Sequence, residues 1–154
     1  ATFYKILLVK LEGMLSSEKD WLANLANASA LLFNNLENVN WSGFYLFKEG
    51  ELVLGPFQGN TACSRIKIGS GVCGTAALKS ETVLVKNVHD FLGHIACDSA
   101  SNSEIAVPVM QKNQVIAVLD IDSPIFERFD DCDVLYLEKF VEKLNKYIRW
   151  DKIC

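Results

Sequence analysis

The sequence contains no long hydrophobic run, and its apolar stretches fall far short of the roughly 20 residues that a membrane-spanning helix requires. Residues 1–21 come nearest to a signal peptide, but they lack a small-residue cleavage site. Lys5, Lys10 and Glu12 also interrupt their apolar residues, so we interpret the stretch as a helix. We therefore expect a cytoplasmic protein without a membrane partner.

An excess of positive charge is also absent. The 154 residues include 15 Lys and Arg against 19 Asp and Glu, which gives a formal net charge of −4. Because nucleic acids attract basic proteins, this balance argues against a nucleic-acid partner. The sequence has no internal repeat, low-complexity tract or linker, and 50% of its residues are apolar. We expect a single domain over residues 1–154.

Closely paired cysteines are missing as well. The five cysteines are Cys63, Cys73, Cys97, Cys132 and Cys154. Their wide spacing argues against a disulfide framework of the secreted type. Structural zinc sites usually take their ligands in close pairs, so we expect no metal, although His89 or His94 offers a fourth ligand beside three loop cysteines. We expect Cys132 and Cys154 to have no role.

Hydrophobic periodicity predicts an α+β fold. Residues 16–36 carry apolar side chains at helical spacing, and Ser17 followed by Asp20 resembles a capping box at the start of this helix. A shorter helix is expected at residues 3–13. Residues 41–48 alternate with a period of two, and both faces are apolar, which is typical of a central strand.

Short turns predict how the strands pair. The segments "KEGE" and "QKNQ" each join two predicted strands, and a long amphipathic helix follows the second hairpin. The sequence therefore predicts a central, mostly antiparallel sheet with the N- and C-terminal helices packed on one side. The apolar terminal helices also suggest a homodimer.

The segment "GSGVCG" at residues 69–74 matches G-x-G-x-x-G, a pattern found in dinucleotide-binding proteins. That function requires a parallel βαβ unit and a second mononucleotide-binding half, whereas this sequence predicts hairpins. Glycines before a helix start expose backbone N–H groups that suit a small anion such as a carboxylate. We expect Gly71, Val72 and Cys73 to contact such a ligand.

Three cysteines lie in positions typical of reactive thiols. Cys73 lies in the first turn of a predicted helix among small residues, where the helix N-terminus lowers a thiol pKa. Cys63 and Cys97 lie in loops, and Cys97 is flanked by polar residues. None of the three has large apolar neighbours in the sequence. The residues alone leave open whether Cys73 or Cys97 is the nucleophile.

Acidic and aromatic side chains alternate on the predicted strands. Glu104 begins one strand, and Asp120 and Asp122 point to the same face of another. They form either a solvated strand end or a converging cluster, in which repulsion keeps one carboxyl protonated near neutral pH. Trp41 and Tyr45 share one strand face, either as core residues or as an aromatic wall for a sulfur-bearing ligand.

Four separated segments resemble the free methionine-(R)-sulfoxide reductases, small enzymes built on a GAF domain. They are "NWSGFYL", "LGPFQGNTACSRIKIGSGVCGTA", "VHDFLGHIACDSASNSEIAVPV" and "VIAVLDIDSP…RFDDCD", in that order. The resemblance covers about residues 17–145. It implies a GAF-like catalytic domain that reduces free methionine (R)-sulfoxide with electrons from a thioredoxin-like donor and without a cofactor.

The resemblance also implies roles for the thiols. Cys97 or Cys73 would attack the sulfoxide, and a second cysteine would then close an intramolecular disulfide. We favour Cys97 as the attacking thiol and Cys63 as the resolving thiol, with Cys73 in support or able to pair. The alternative is a non-catalytic GAF domain that senses redox state or a small ligand through its cysteine pair.

The remaining site residues match the family in the same way. Trp41 and Tyr45 match aromatic residues that hold the S-methyl group. Glu104, Asp120 and Asp122 match acidic residues at the polar atoms of the substrate. Because the departing oxygen needs a proton, we expect Glu104 to be the catalytic acid.

Overall fold

The structure is a computed structural model that describes residues 2–93 and 100–153. Its helices are α1 (Thr2–Ser17), α2 (Trp21–Asn35), α3 (Gly71–Lys79) and α4 (Asp131–Tyr147). Its strands are β1 (Trp41–Lys48), β2 (Glu51–Gly59), β3 (Arg65–Lys67), β4 (Val83–Val85), β5 (Ser103–Gln111) and β6 (Gln114–Ser123). None of the helices in this described part is long and apolar enough to cross a membrane.

The six strands form one sheet in the order β3-β2-β1-β6-β5-β4, and every neighbouring pair is antiparallel. Both predicted hairpins are confirmed. Their turns place Glu49 and Gly50, and Lys112 and Asn113, at φ angles between 51° and 86°. Two successive left-handed residues give a turn whose twist matches that of the strands it joins. The predicted α+β fold with an antiparallel sheet is confirmed.

The two faces of the sheet carry separate apolar cores. On one face α1, α2 and α4 pack against side chains that include Phe44 and Leu46 of β1. On the opposite face α3 packs over a smaller core that includes Trp41 and Tyr45. The terminal helices therefore share one side of the sheet, as predicted, and β1 is a central strand. The opposite face, beneath α3, also carries the acidic residues Glu104, Asp120 and Asp122.

The predicted capping box at Ser17 and Asp20 is wrong. Helix α1 continues to Ser17, whose hydroxyl donates to the carbonyl oxygens of Gly13 and Met14 at 3.2 and 3.1 Å. Asp20 is itself the N-cap of α2 and accepts a hydrogen bond from the Ala23 N–H at 2.9 Å. The first helix is longer than predicted because its buried stripe runs on to a later turn. That stripe consists of Tyr4, Leu7, Leu11 and Leu15.

Candidate active site

Acidic side chains converge on the α3 face of the sheet. Asp122 lies directly opposite Glu104 in the pairing of β5 with β6. Asp120 lies two residues earlier on the same face, between Ala106 of β5 and Gly43 of β1. The exposed fractions of Glu104, Asp120 and Asp122 are 8%, 5% and 9%. The predicted convergence is therefore confirmed, and a solvated strand end is excluded.

The first turn of α3 lies above these carboxylates. The thiol sulfur of Cys73 and one carboxylate oxygen each of Glu104 and Asp120 all lie within 4.8 Å of one another. The Cys73 thiol donates to Glu104 Oε2 over an S–O distance of 3.9 Å. The neighbours of Asp120 in the sheet, Ala106 and Gly43, are small residues. We call Cys73, Glu104 and Asp120 the carboxylate–thiol cluster.

Burial and mutual repulsion keep protons in this cluster. Burial, and then the charge of Asp120, raises the pKa of Glu104 well above its usual range. Burial, and then the charge of Asp122, raises the pKa of Asp120 to about 8. Within residues 2–93 and 100–153, no Lys or Arg forms an ion pair with Glu104 or Asp120. At least one carboxyl is therefore protonated at neutral pH, as the sequence predicted.

Cys73 departs from the sequence-based expectation. Only 3% of its surface is exposed, and it packs in the apolar core beneath α3. Burial, followed by the charge of Asp120, raises its thiol pKa. A helix dipole stabilises a thiolate by about 0.3–1 kcal/mol. Full burial raises a thiol pKa by up to about 3–5 pH units, and one pH unit corresponds to roughly 1.4 kcal/mol, so the effect of burial is larger. The predicted lowering of the Cys73 pKa and its predicted lack of packing neighbours are both wrong.

The glycine-rich turn holds α3 against the sheet. Gly69 and Gly71 have φ angles of 91° and 63°, a region that favours glycine. A Cβ atom on Gly74 would lie 2.5 Å from the carbonyl oxygen of Lys67. The N-cap of α3, Ser70, makes no side-chain hydrogen bond to the helix.

The described strands include no parallel pair, which excludes the βαβ unit of a dinucleotide site here.

Three aromatic rings form a stack beside the acidic residues. Trp41 stacks on Phe57 at a centroid distance of 5.1 Å and on Tyr45 at 6.0 Å. The Trp41 Nε1–H donates to the carbonyl oxygen of Asn60, and the Tyr45 hydroxyl donates to that of Cys63. The polar ends of both rings therefore fix the loop that carries Cys63. Both rings are buried in the core beneath α3.

The described cysteines differ in state and position. Cys63 is half-buried and disulfide-bonded, whereas Cys73 and Cys132 are free thiols. Cys132 is exposed in the first turn of α4, and α4 packs on the opposite face of the sheet from the cluster. Cys97, the predicted nucleophile, and Cys154 lie outside the described residues.

His89 does not join the cluster. His89 is exposed, and its Nε2 lies 2.9 Å from Asn102 Oδ1. His94 lies outside the described residues. Among residues 2–93 and 100–153, potential metal ligands come together in the carboxylate–thiol cluster, which contains one cysteine and two carboxylates but no histidine. A zinc site that includes His89 receives no support from this arrangement.

Known proteins share this fold and sequence. The GAF domain family matches residues 23–144. The free methionine-R-sulfoxide reductase of Escherichia coli is 51% identical over 146 residues, which are 95% of this chain and 88% of that protein. This chain belongs to the free methionine-R-sulfoxide reductase family. The resemblance stated from its motifs is therefore confirmed.

Solved structures of family members agree with this assignment. The reduced form of the Staphylococcus aureus enzyme has a TM-score of 0.91 and 49% identity, and the match covers 94% of each chain. The Neisseria meningitidis free methionine-R-sulfoxide reductase in complex with its substrate has a TM-score of 0.93 and 44% identity. That match covers 97% of this chain and 90% of the other. The single GAF-like fold of this family member is thus established.

Sequence reasoning missed the pair that supports the aromatic stack. Gly43 lies opposite Phe57 in the pairing of β1 with β2. A Cβ atom on Gly43 would lie 2.3 Å from the Phe57 Cβ and 2.8 Å from its Cα. Glycine at this position therefore lets Phe57 reach the Trp41 ring. The available signal was a lone glycine within a strand, which often marks a close approach of another backbone.

Gly43→Ala should lower the free energy of unfolding by about 1–3 kcal/mol, the usual cost of overpacking a core. Gly13→Ala is the matched control, because a Cβ atom at that position in α1 meets nothing within 4 Å. Removing a glycine from a helix interior should raise stability by about 0.5–1 kcal/mol. Urea unfolding of both variants measures these changes. Equal stability of Gly43→Ala and wild type would show that β1 and β2 can move apart at Gly43 and Phe57 without an energetic cost.

Proposed function

We propose that this protein reduces free methionine (R)-sulfoxide to methionine. The sulfoxide sulfur gains two electrons, two cysteine thiols lose them as they form a disulfide, and the oxygen leaves as water. The observation that carries the proposal is the protonated carboxylate–thiol cluster beside an aromatic stack, in a member of this family. Reduction of a sulfoxide by thiols requires a proton donor for the departing oxygen, and an aromatic surface suits the methyl group.

Cys97 is the attacking thiol and Cys63 resolves the intermediate. Cys63 is disulfide-bonded, which supports its participation in the redox cycle. Cys73 is buried and its thiol pKa is raised, so little thiolate is available there for attack at neutral pH. Its thiol instead donates a hydrogen bond to Glu104, which is a supporting role.

Glu104 is the proton donor, and the other polar groups hold the amino acid. Asp120 and Asp122 lie on the same face of β6 beside Glu104, and their carboxyl oxygens can accept hydrogen bonds from the substrate ammonium group. The backbone N–H groups of Gly71, Val72 and Cys73 begin α3 and suit the substrate carboxylate. Trp41 and Tyr45 of the aromatic stack face the S-methyl group.

Partners and location complete the proposal. The disulfide formed in each cycle requires an external dithiol, and a thioredoxin-like protein in the cytoplasm supplies the electrons. Phe3, Ile6 and Val9 of α1 are 46%, 54% and 72% exposed and are spaced along one side of the helix. An exposed apolar stripe of this kind supports a homodimer.

Turnover of free methionine sulfoxide with dithiothreitol tests the function directly. The protein should consume the (R) epimer and leave the (S) epimer, as measured by chromatography of the amino acids. If neither epimer is consumed, the alternative of a non-catalytic redox or small-ligand sensor replaces this proposal.

The substrate should be the free amino acid and not a residue within a peptide. N-acetyl methionine sulfoxide amide lacks both the ammonium and the carboxylate, so each charged contact is lost. Hydrogen bonds to charged groups contribute about 1.5–3 kcal/mol each, and kcat/KM should therefore fall by at least about 100-fold. Both compounds are compared at equal enzyme concentration. Comparable kcat/KM for the two would contradict the proposed contacts to the charged groups.

A further inference from the structure

We propose that the carboxylate–thiol cluster also binds a thiophilic divalent cation such as Zn²⁺, and that the bound cation blocks the site. Cys73, Glu104 and Asp120 would be its three protein ligands. The cation is an inhibitor in this proposal and takes no part in catalysis. The binding claim stands on its own, whereas the inhibition claim rests on the proposed function.

Distances within the cluster suit a zinc ion. In a tetrahedral site, Zn–S bonds of about 2.3 Å and Zn–O bonds of about 2.0–2.2 Å place a ligating sulfur and a ligating oxygen about 3.5 Å apart. Cys73 Sγ and Glu104 Oε2 are 3.9 Å apart, and the three ligand atoms lie within 4.8 Å of one another. Shifts of a few tenths of an ångström to about 1 Å therefore bring the ligands into coordination range.

Within the described part of the chain, the lack of a neighbouring positive charge at the cluster also favours a cation. Glu104 and Asp120 are buried, and within residues 2–93 and 100–153 neither forms an ion pair with Lys or Arg. The Oδ1 atom of Asp120 is buried and has no hydrogen-bond partner among the described residues. A buried carboxylate oxygen in this state gains from a metal ion or a hydrogen-bond donor. This unpartnered oxygen therefore favours a ligand in the cluster.

The ligand set selects the kind of cation. A thiolate favours Zn²⁺ or Cd²⁺ over Mg²⁺ and Ca²⁺, which prefer oxygen ligands alone. Three protein ligands leave a fourth position for water, as in zinc sites that remain open. Binding requires the Cys73 thiolate and ionised Glu104 and Asp120, so the thiol proton and the carboxyl protons of the cluster pass to solvent. The cation would occupy Glu104 and Asp120 and therefore compete with the substrate.

Cadmium titration tests the binding claim without any turnover. The full chain is used in its oxidised state with Cys132→Ser and Cys154→Ser, so that Cys73 is the thiol available to the metal. Cd²⁺ should produce one equivalent of thiolate-to-metal charge-transfer absorption, and Mg²⁺ should not reduce it. Cys73→Ser should abolish the signal. Asp120→Asn should weaken affinity by at least about tenfold, the lower end for loss of a partner in a metal site.

Two outcomes of this titration would overturn the site. One is the absence of the absorption in the starting protein, and the other is its persistence in Cys73→Ser. Circular dichroism establishes that each variant is folded. If Cys73→Ser fails to fold, undiminished Cd²⁺ affinity in Asp120→Asn overturns the site by itself.

Single-turnover kinetics test the inhibition claim. Pre-reduced enzyme without added thiol is mixed with substrate and Zn²⁺, and the inhibition should be relieved by excess substrate and by EDTA. Asp120→Asn should raise the Zn²⁺ inhibition constant at least about tenfold, which separates this site from the other redox thiols. Inhibition independent of substrate concentration would sink the claim. A protein that binds Cd²⁺ but never reduces the sulfoxide would instead refute the proposed function alone.

Discussion

Cys97→Ser should abolish reduction of methionine (R)-sulfoxide, with a fall in kcat of at least about 10⁴-fold, as is typical when an enzyme loses its nucleophile. A serine hydroxyl is a far weaker nucleophile towards sulfur than a thiolate, and the buried Cys73 thiol, whose pKa is raised, is a poor replacement. Methionine formation is measured with dithiothreitol as the reductant. Cys132→Ser is the matched control and should keep near-wild-type activity, because that thiol is free and exposed on α4.

The resolving thiol provides a sharper test of the same assignment. Cys63→Ser should still release about one methionine per enzyme in a single turnover, because attack by Cys97 does not need the second thiol. Recycling should then slow, since no disulfide with Cys63 forms. If Cys97→Ser released one methionine per enzyme, the attacking thiol would be Cys73 despite its burial.

Local sequence signals were sufficient for the sheet and its hairpins. The alternation in residues 41–48 is a local pattern, and each hairpin turn has residues suited to positive φ. Helix boundaries were harder, because Ser17 and Asp20 are both good capping residues and the stripe of α1 decides between them. Packing against the rest of the protein settles such a choice, and packing is not a local signal.

The site was predictable only in part for a similar reason. Strand alternation placed Asp120 and Asp122 on one face, and this geometry does not depend on distant residues. The state of Cys73 depends on the carboxylates that α3 covers, so its sequence neighbours gave the wrong sign for its pKa. The contact of Gly43 with Phe57 depends on a register that shifts between Gly43 and Tyr45. A local pattern does not reveal such a bulge.

Glu104→Gln should lower the single-turnover rate by about 10²–10⁴-fold, which is the usual contribution of general acid catalysis. Glutamine keeps the shape and can donate a hydrogen bond, but it cannot transfer a proton, so substrate affinity should change much less than the rate. Glu142→Gln is the matched control, because Glu142 is exposed on α4, which packs on the opposite face of the sheet. Reduced enzyme is mixed with substrate, and methionine is quantified after rapid quenching.

The pH dependence distinguishes an acid from a structural residue. Burial and the charge of Asp120 raise the pKa of Glu104, so the active protonated form persists at neutral pH and is lost as pH rises through that pKa. The wild-type rate should therefore fall on the alkaline side, although thiolate formation by Cys97 favours high pH. Glu104→Gln should lack this alkaline decline.

Asp120→Asn should move the decline to lower pH, because it removes a negative charge that holds the proton on Glu104. An alkaline decline that survives in Glu104→Gln would assign the proton to another group, and Asp120, with a pKa of about 8, would be the next candidate.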